Sequence, residues 1–124
     1  MSTLKQEFRN DCPMVMAIKS VGNEAKLLII RHLMEGRMGF NELKRHSGMN
    51  SKTLSSALKS LERDGMVNRE VVSTRPFKVL YSLTEKGMEL KPALESFGEW
   101  ASKWLAPREH EKIMQSAEAA ETLK

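Results

Sequence analysis

The sequence predicts a mostly α-helical chain carrying one small β-hairpin. Three observations lead there. Apolar residues recur at helical spacing from Met14 to Leu61, the period changes to two between Met66 and Leu83, and helical spacing returns from Leu90 to Trp104. The 124 residues suit one domain with a modest core. Residues 12–106 form that domain, residues 1–11 a flexible polar arm, and residues 107–124 a polar, helical or frayed tail anchored by Ile113 and Met114.

Cys12-Pro13 opens the ordered part. Pro13 suits the first position of a helix, where its missing N–H would have had no partner. Met14, Ala17, Ile18 and Val21 follow at helical spacing, and Gly22-Asn23 ends that element. A helix over 24–35 is apolar on most sides through Leu27, Leu28, Ile29, Ile30, Leu33 and Met34, so it belongs at the centre of the core; Gly36 closes it. A short helix over 40–46 buries Phe40 and Leu43, and Ser47-Gly48-Met49-Asn50 is a turn. Ser51 then caps a helix over 52–64 that Gly65 stops. Leu54, Ala57, Leu58 and Leu61 stand at i, i+3, i+4 and i+7 and make one buried stripe. The opposite face carries Lys52, Thr53, Ser55, Ser56, Lys59, Ser60 and Arg63.

Residues 66–72 and 77–83 alternate as strands do, and Ser73-Thr74-Arg75-Pro76 connects them as the tip of a hairpin. Thr84 caps a last helix reaching about Leu105, with Leu90, Ala93, Leu94, Phe97, Ala101 and Trp104 on one face and Trp100 beside it. Pro92 inside this pattern predicts a kink.

The formal charge of +4 is unevenly distributed. Residues 37–80 hold nine Lys and Arg against four acidic residues, so the whole basic excess lies there. That is the asymmetry of a phosphate-facing surface on a nearly neutral scaffold. Leu27-Leu28-Ile29-Ile30, cut by Arg31 and His32, is far short of a membrane span. Residues 1–11 show no secretory signal, and a single cysteine suits a reducing compartment, so the cytoplasm is expected. His32, His46 and His110 lack ligand-like spacing, and phosphate-loop, nucleophile-elbow and metalloprotease motifs do not occur. The expectation is therefore no enzyme, no cofactor and no metal site.

The order of elements is core helix, short helix, tight turn, longer helix, two-stranded ribbon, long helix. A short helix crossed by a second through a glycine-containing turn is the helix-turn-helix arrangement, here followed by a wing. One exposed helix face of small and cationic side chains can enter the DNA major groove, and from Ser51 to Ser60 that face has no acid. Ser51, Lys52, Thr53, Ser55, Ser56 and Lys59 are the residues expected to read the groove. Arg75 at the hairpin tip, with Lys78, would hold the flanking backbone or minor groove, and Arg69 could supplement them. The bland alternative is an amphipathic helix with a solvated outer face; the rival function is a winged-helix protein-interaction module that never touches DNA.

Phe97, Trp100 and Trp104 have few intrachain sites to bury them in so short a chain. With Met14, Ala17 and Ile18 they are candidates for a homodimer interface, the alternative being that both stripes complete the monomer core. A two-fold dimer would present paired helices to successive major grooves about 34 Å apart, predicting a palindromic operator.

Over residues 12–105 the chain resembles the HxlR-type winged helix-turn-helix regulators, relatives of the MarR group. The resemblance rests on Cys12-Pro13, Leu27-Leu28-Ile29-Ile30-Arg31-His32-Leu33, Phe40-Asn41-Glu42-Leu43 and Ser51-Lys52-Thr53-Leu54-Ser55. It continues through Leu58-Lys59-Ser60-Leu61-Glu62-Arg63-Asp64-Gly65 and Tyr81-Ser82-Leu83-Thr84-Glu85-Lys86-Gly87. It implies a prokaryotic DNA-binding repressor or activator with a recognition helix starting at Ser51, a wing tip at residues 73–76, and first and last helices paired across a two-fold axis. Many members carry Gly-Lys-Trp before the core helix, where this chain has Asn23-Glu24-Ala25-Lys26. Several members sense oxidants or electrophiles through an N-terminal cysteine, the role the resemblance implies for Cys12. The residue alone reads first as a small hydrophobe, since Asp11 beside it opposes thiolate formation, and second as a sensor; a thiol-dependent enzyme is a third reading. With one cysteine in the chain, any disulfide would join subunits or an external thiol.

Overall fold

Residues 12–105 are described, in a computed structural model. The elements are α1 (Pro13–Val21), α2 (Glu24–Leu33), α3 (Phe40–Ser47), α4 (Ser51–Arg63), β1 (Val67–Thr74), β2 (Phe77–Leu83), α5 (Glu85–Met88) and α6 (Lys91–Trp104). The mostly helical class with one antiparallel hairpin is as expected. The polar arm and the tail, with His110, Ile113 and Met114, lie outside the described residues. Two compact units meet at the Glu89–Leu90 boundary, α1 to α5 in the first and α6 in the second.

In the first unit, α2 packs on α3 and α4, and α4 leads into β1. Ile29 and Ile30 of α2, Leu43 of α3, Leu54, Leu58 and Leu61 of α4, and Val67 of β1 are fully buried. Phe40, expected beside Leu43 in the core, is only half-buried. The hairpin is tied to this core before α3 begins. Met38 and Tyr81 exchange backbone hydrogen bonds of 3.1 and 2.8 Å, which fixes the wing against the helix-turn-helix.

Four boundaries differ from expectation. The core helix ends at Leu33 rather than at residue 35, because Glu35 and Gly36 turn back with three-residue hydrogen bonds to His32 and Leu33. The cap of α4 is Asn50, not Ser51: its Oδ1 accepts from the Thr53 amide at 2.8 Å, while Ser51 already lies inside the helix. Asparagine's short amide reaches the third amide of the first turn as well as a serine does. β1 runs on through Ser73 and Thr74, with an irregularity between Val71 and Ser73, so the tip is only Arg75-Pro76. Finally, the last helix is two helices. A continuous helix would set the Pro92 ring against the Met88 carbonyl and remove an amide donor. The chain breaks after Met88 instead, and Pro92 falls in the first turn of α6, where no donor is missed.

Asn50→Ala should lower stability by about 1 kcal/mol, the usual value of an N-cap side chain, and Asn50→Ser should restore most of it. Urea unfolding followed by circular dichroism measures both. A midpoint unmoved by the alanine would mean that the cap contributes nothing.

Described by itself, α6 has no buried residue. Phe97, Trp100 and Trp104 are 63%, 55% and 62% exposed, and with Leu94 and Ala101 they form one apolar stripe. Its polar side is solvated, with an exposed Lys91–Glu95 ion pair at 4.0 Å. On α1 only Val21 is buried, while Met14, Ala17 and Ile18 are exposed. Among the described residues no helix is long and apolar enough to cross a membrane.

Candidate nucleic-acid interface

Helix α4 owes its presentation to the turn before it. Gly48 adopts φ +72°, a left-handed conformation that glycine enters without a Cβ clash, and its amide bonds the Lys44 carbonyl at 3.0 Å to terminate α3. The Met49 amide donates to Ser47 Oγ at 3.2 Å, and the Asn50 cap starts the new helix immediately. At the other end Gly65, at φ +74°, lets the chain leave α4 and enter β1.

The inward stripe of α4 is closed: Leu54 and Leu61 are 0% exposed, and Ala57 and Leu58 are also buried. Its outer face is therefore fixed by packing. Ser51, Lys52, Thr53, Ser56 and Lys59 are exposed there, with Ser55 half-exposed. The first turn contains no acid, so the positive helix terminus and Lys52 act in the same direction on an approaching anion. At 1.5 Å per residue the helix is about 20 Å long, and an α-helix of this kind fits the major groove, about 12 Å wide.

The hairpin adds a second cationic surface. Arg75 is exposed at the tip, and exposed Lys78 pairs with Ser73 across the hairpin. Arg69 of β1 stands opposite Tyr81. With Arg45 of α3, Arg69 and Lys78 line a groove of about 520 Å³ beside Phe40 and Phe77, three cations against the one carboxylate of Glu42. The one acid on the strands, Glu70, is neutralised by Arg37 at 3.7 Å. Helix face and wing are thus both cationic and both solvent-facing. Arg69 and Lys78 are joined to the helix-turn-helix through the Met38–Tyr81 bridge.

Two cations outside the expected set stand beside the reading face. Lys26 of α2 and Arg63 of α4 line a groove together with Lys52. Arg63 was visible on the outer face of the helix, but its pairing with another element was not. Lys26 has one sequence signal: it is the cation in the first turn of the core helix, just before its apolar run Leu27–Ile30. Cys12 is partly exposed just before α1 and is a free thiol. His32 and His46 approach each other, their ring centroids 6.0 Å apart. Among the described residues, no group of three or more His, Cys, Asp or Glu is disposed to hold a metal ion.

A helix pair joined by a tight glycine turn, with an exposed second helix and an adjoining wing, defines a winged helix-turn-helix protein. Its relatives are transcriptional regulators. A family model described as HxlR-like helix-turn-helix matches residues 20–109, and the chain belongs to that family. It is 42% identical over 107 residues to BH0655, an HTH-type transcriptional regulator of Halalkalibacterium halodurans, covering 83% of this chain and 95% of that one. The fold is similar to the reduced form of the transcriptional regulator YodB from Bacillus subtilis, with a TM-score of 0.69, 34% identity, and coverage of 77% of this chain and 96% of that one. It is also similar to the redox regulator HypR in its oxidised form, with a TM-score of 0.68, 35% identity, and coverage of 74% and 96%.

Proposed function

We propose that this protein binds double-stranded DNA as a homodimer and regulates transcription in the prokaryotic cytoplasm. The carrying observation is the outer face of α4, free of acids from Ser51 to Ser60, held outward by a fully buried stripe and flanked by a cationic wing. In this reading Ser51, Lys52, Thr53, Ser55, Ser56 and Lys59 face base edges and phosphates in the major groove, and Arg75 and Lys78 grip the flanking backbone or minor groove. Short hydroxyl side chains permit the close approach that base contacts require, while lysine and arginine supply the electrostatic attraction. The exposed apolar stripes of α1 and α6 serve self-association, so the operator is expected to be palindromic, with half-sites about 34 Å apart.

Control by oxidation at Cys12 is a second element of the proposal. It is supported by the accessible thiol beside α1 and by the likeness to a redox regulator. With one cysteine per chain, a disulfide formed on oxidation would join two protomers or capture a small external thiol.

Titration of labelled genomic fragments at increasing salt tests both parts. Tight binding at low salt that weakens steeply with added salt is expected, because each neutralised phosphate releases counterions. Oxidant should change the affinity of the native protein, whereas Cys12→Ser should bind DNA normally and ignore the oxidant. Failure to bind any duplex at low salt would instead favour a protein-interaction module.

A further inference from the structure

The groove between α2 and α4 has an unusual lining. Its wall from α2 is Lys26 and the small Ala25, with Asn23 at the helix start; its wall from α4 includes Lys52, Ser56 and Arg63. It encloses about 610 Å³ and contains three cationic side chains and no carboxylate. None of the ion pairs among the described residues uses Lys26, Lys52 or Arg63. Glu24, Glu62 and Asp64, the acids nearest in sequence, do not line it. Three like charges gathered without a counter-charge favour an anion between them.

Lys26 differs from an ordinary surface lysine. Its side chain is partly buried, and Nζ donates to the Ser20 carbonyl at 3.0 Å. An ammonium group has three donors, so two are left for a ligand, and the tether has already removed much of the rotamer freedom that a contact would otherwise sacrifice. On the facing helix, the Arg63 guanidinium leans on Ser60 Oγ at 3.4 Å. The site does not depend on the α2 terminus itself, since Asn23 Oδ1 already accepts from the Lys26 amide at 3.2 Å.

We infer that this groove is a phosphate clamp for duplex DNA, in which Lys26 and Arg63 hold the sugar-phosphate backbone on the flank of α4 away from the wing. The inference rests on the proposed placement of α4 in the major groove. A helix lying there has a phosphate ridge on either side. The wing serves one, and the α2–α4 groove, sharing Lys52 and Ser56 with the reading face, is positioned for the other. The clamp extends the footprint to the core helix and makes α2 a positioning element for recognition. Phosphate contacts fix register without reading sequence, so the contribution is the same for operator and unrelated duplex.

The test is fluorescence anisotropy with a mixed-sequence duplex long enough for two half-sites, over about 50 to 200 mM salt. Lys26→Met keeps the aliphatic stem and removes the charge; Arg63→Gln does the same for the other wall. Each removes two contacts from a dimer, so the slope of log affinity against log salt should fall by about 1.8 and affinity at about 0.1 M salt by about 60-fold. Lys26→Arg, which keeps the charge, should retain the native slope. If Lys26→Met and Arg63→Gln keep the native slope while the native protein binds duplex steeply, the clamp is wrong and the DNA-binding reading stands. A lowered melting temperature for Lys26→Met with an unchanged slope would reduce Lys26 to its tie to Ser20 and equally overturn the clamp. If the native protein binds no duplex, the underlying reading fails before the clamp is tested.

Discussion

Replacing Lys52 and Arg75 together by alanine is expected to weaken duplex binding more than a thousandfold at about 0.1 M salt, with folding unchanged. Each protomer would lose one phosphate contact from the first turn of α4 and one from the wing tip, four in a dimer. At about 0.9 counterions per neutralised phosphate, the salt slope should fall by about 3.6. Both side chains are exposed, and neither takes part in an ion pair among the described residues, so stability should move by no more than about 0.5 kcal/mol. The pair also separates the two functional readings. A protein-interaction module would lose little duplex affinity, having little to lose, whereas a DNA regulator loses most of its non-specific as well as its specific binding. An unchanged slope in a salt titration of the double variant would reject the contact assignment.

Trp100→Glu with Trp104→Glu should convert the protein from a dimer to a 14.1 kDa monomer and cost about 10² to 10⁴ in affinity for a two-half-site duplex. The two indoles stand on the stripe of α6 that has no intrahelical cover, more than half exposed. An exposed aromatic buried on association contributes substantially to a dimer, and a carboxylate in the same place would be desolvated without a partner. Affinity falls because the second half-site is then met from solution rather than at the high effective concentration set by a tethered partner. Sedimentation equilibrium and the duplex titration should move together. A variant that stays dimeric would shift the interface from α6 to another surface, such as the Met14, Ala17 and Ile18 face of α1.

Much of the local structure was legible because short-range physics dominates it. Leu54, Ala57, Leu58 and Leu61 lie on one helical stripe whatever the rest of the chain does, and all four are buried. The outer face of α4 follows by subtraction. Pro13 and the glycines at 36, 48 and 65 punctuate the helices because their backbone constraints act within a turn. The break at Pro92 was anticipated only as a kink. A proline in a helix interior either kinks or ends it, and here the chain breaks after Met88 and a new helix starts at Lys91. The identity of the α4 cap was ambiguous for a similar reason, as Asn50 and Ser51 both have capping chemistry and only the backbone conformation selects between them.

By itself, then, the order of amino acids determined the helical periods, the hairpin, the helix-turn-helix spacing and the basic middle segment, since each depends on neighbours within a few residues. Only the tertiary structure decided that Met38 pairs with Tyr81 to anchor the wing, and that Lys26 meets Arg63 across a groove thirty-odd residues deep in sequence. Such contacts depend on how α2 crosses α4 and where the hairpin folds back. Those arrangements come from the joint packing of Ile29, Leu43, Leu54, Leu58 and Leu61, and no single segment carries that information alone.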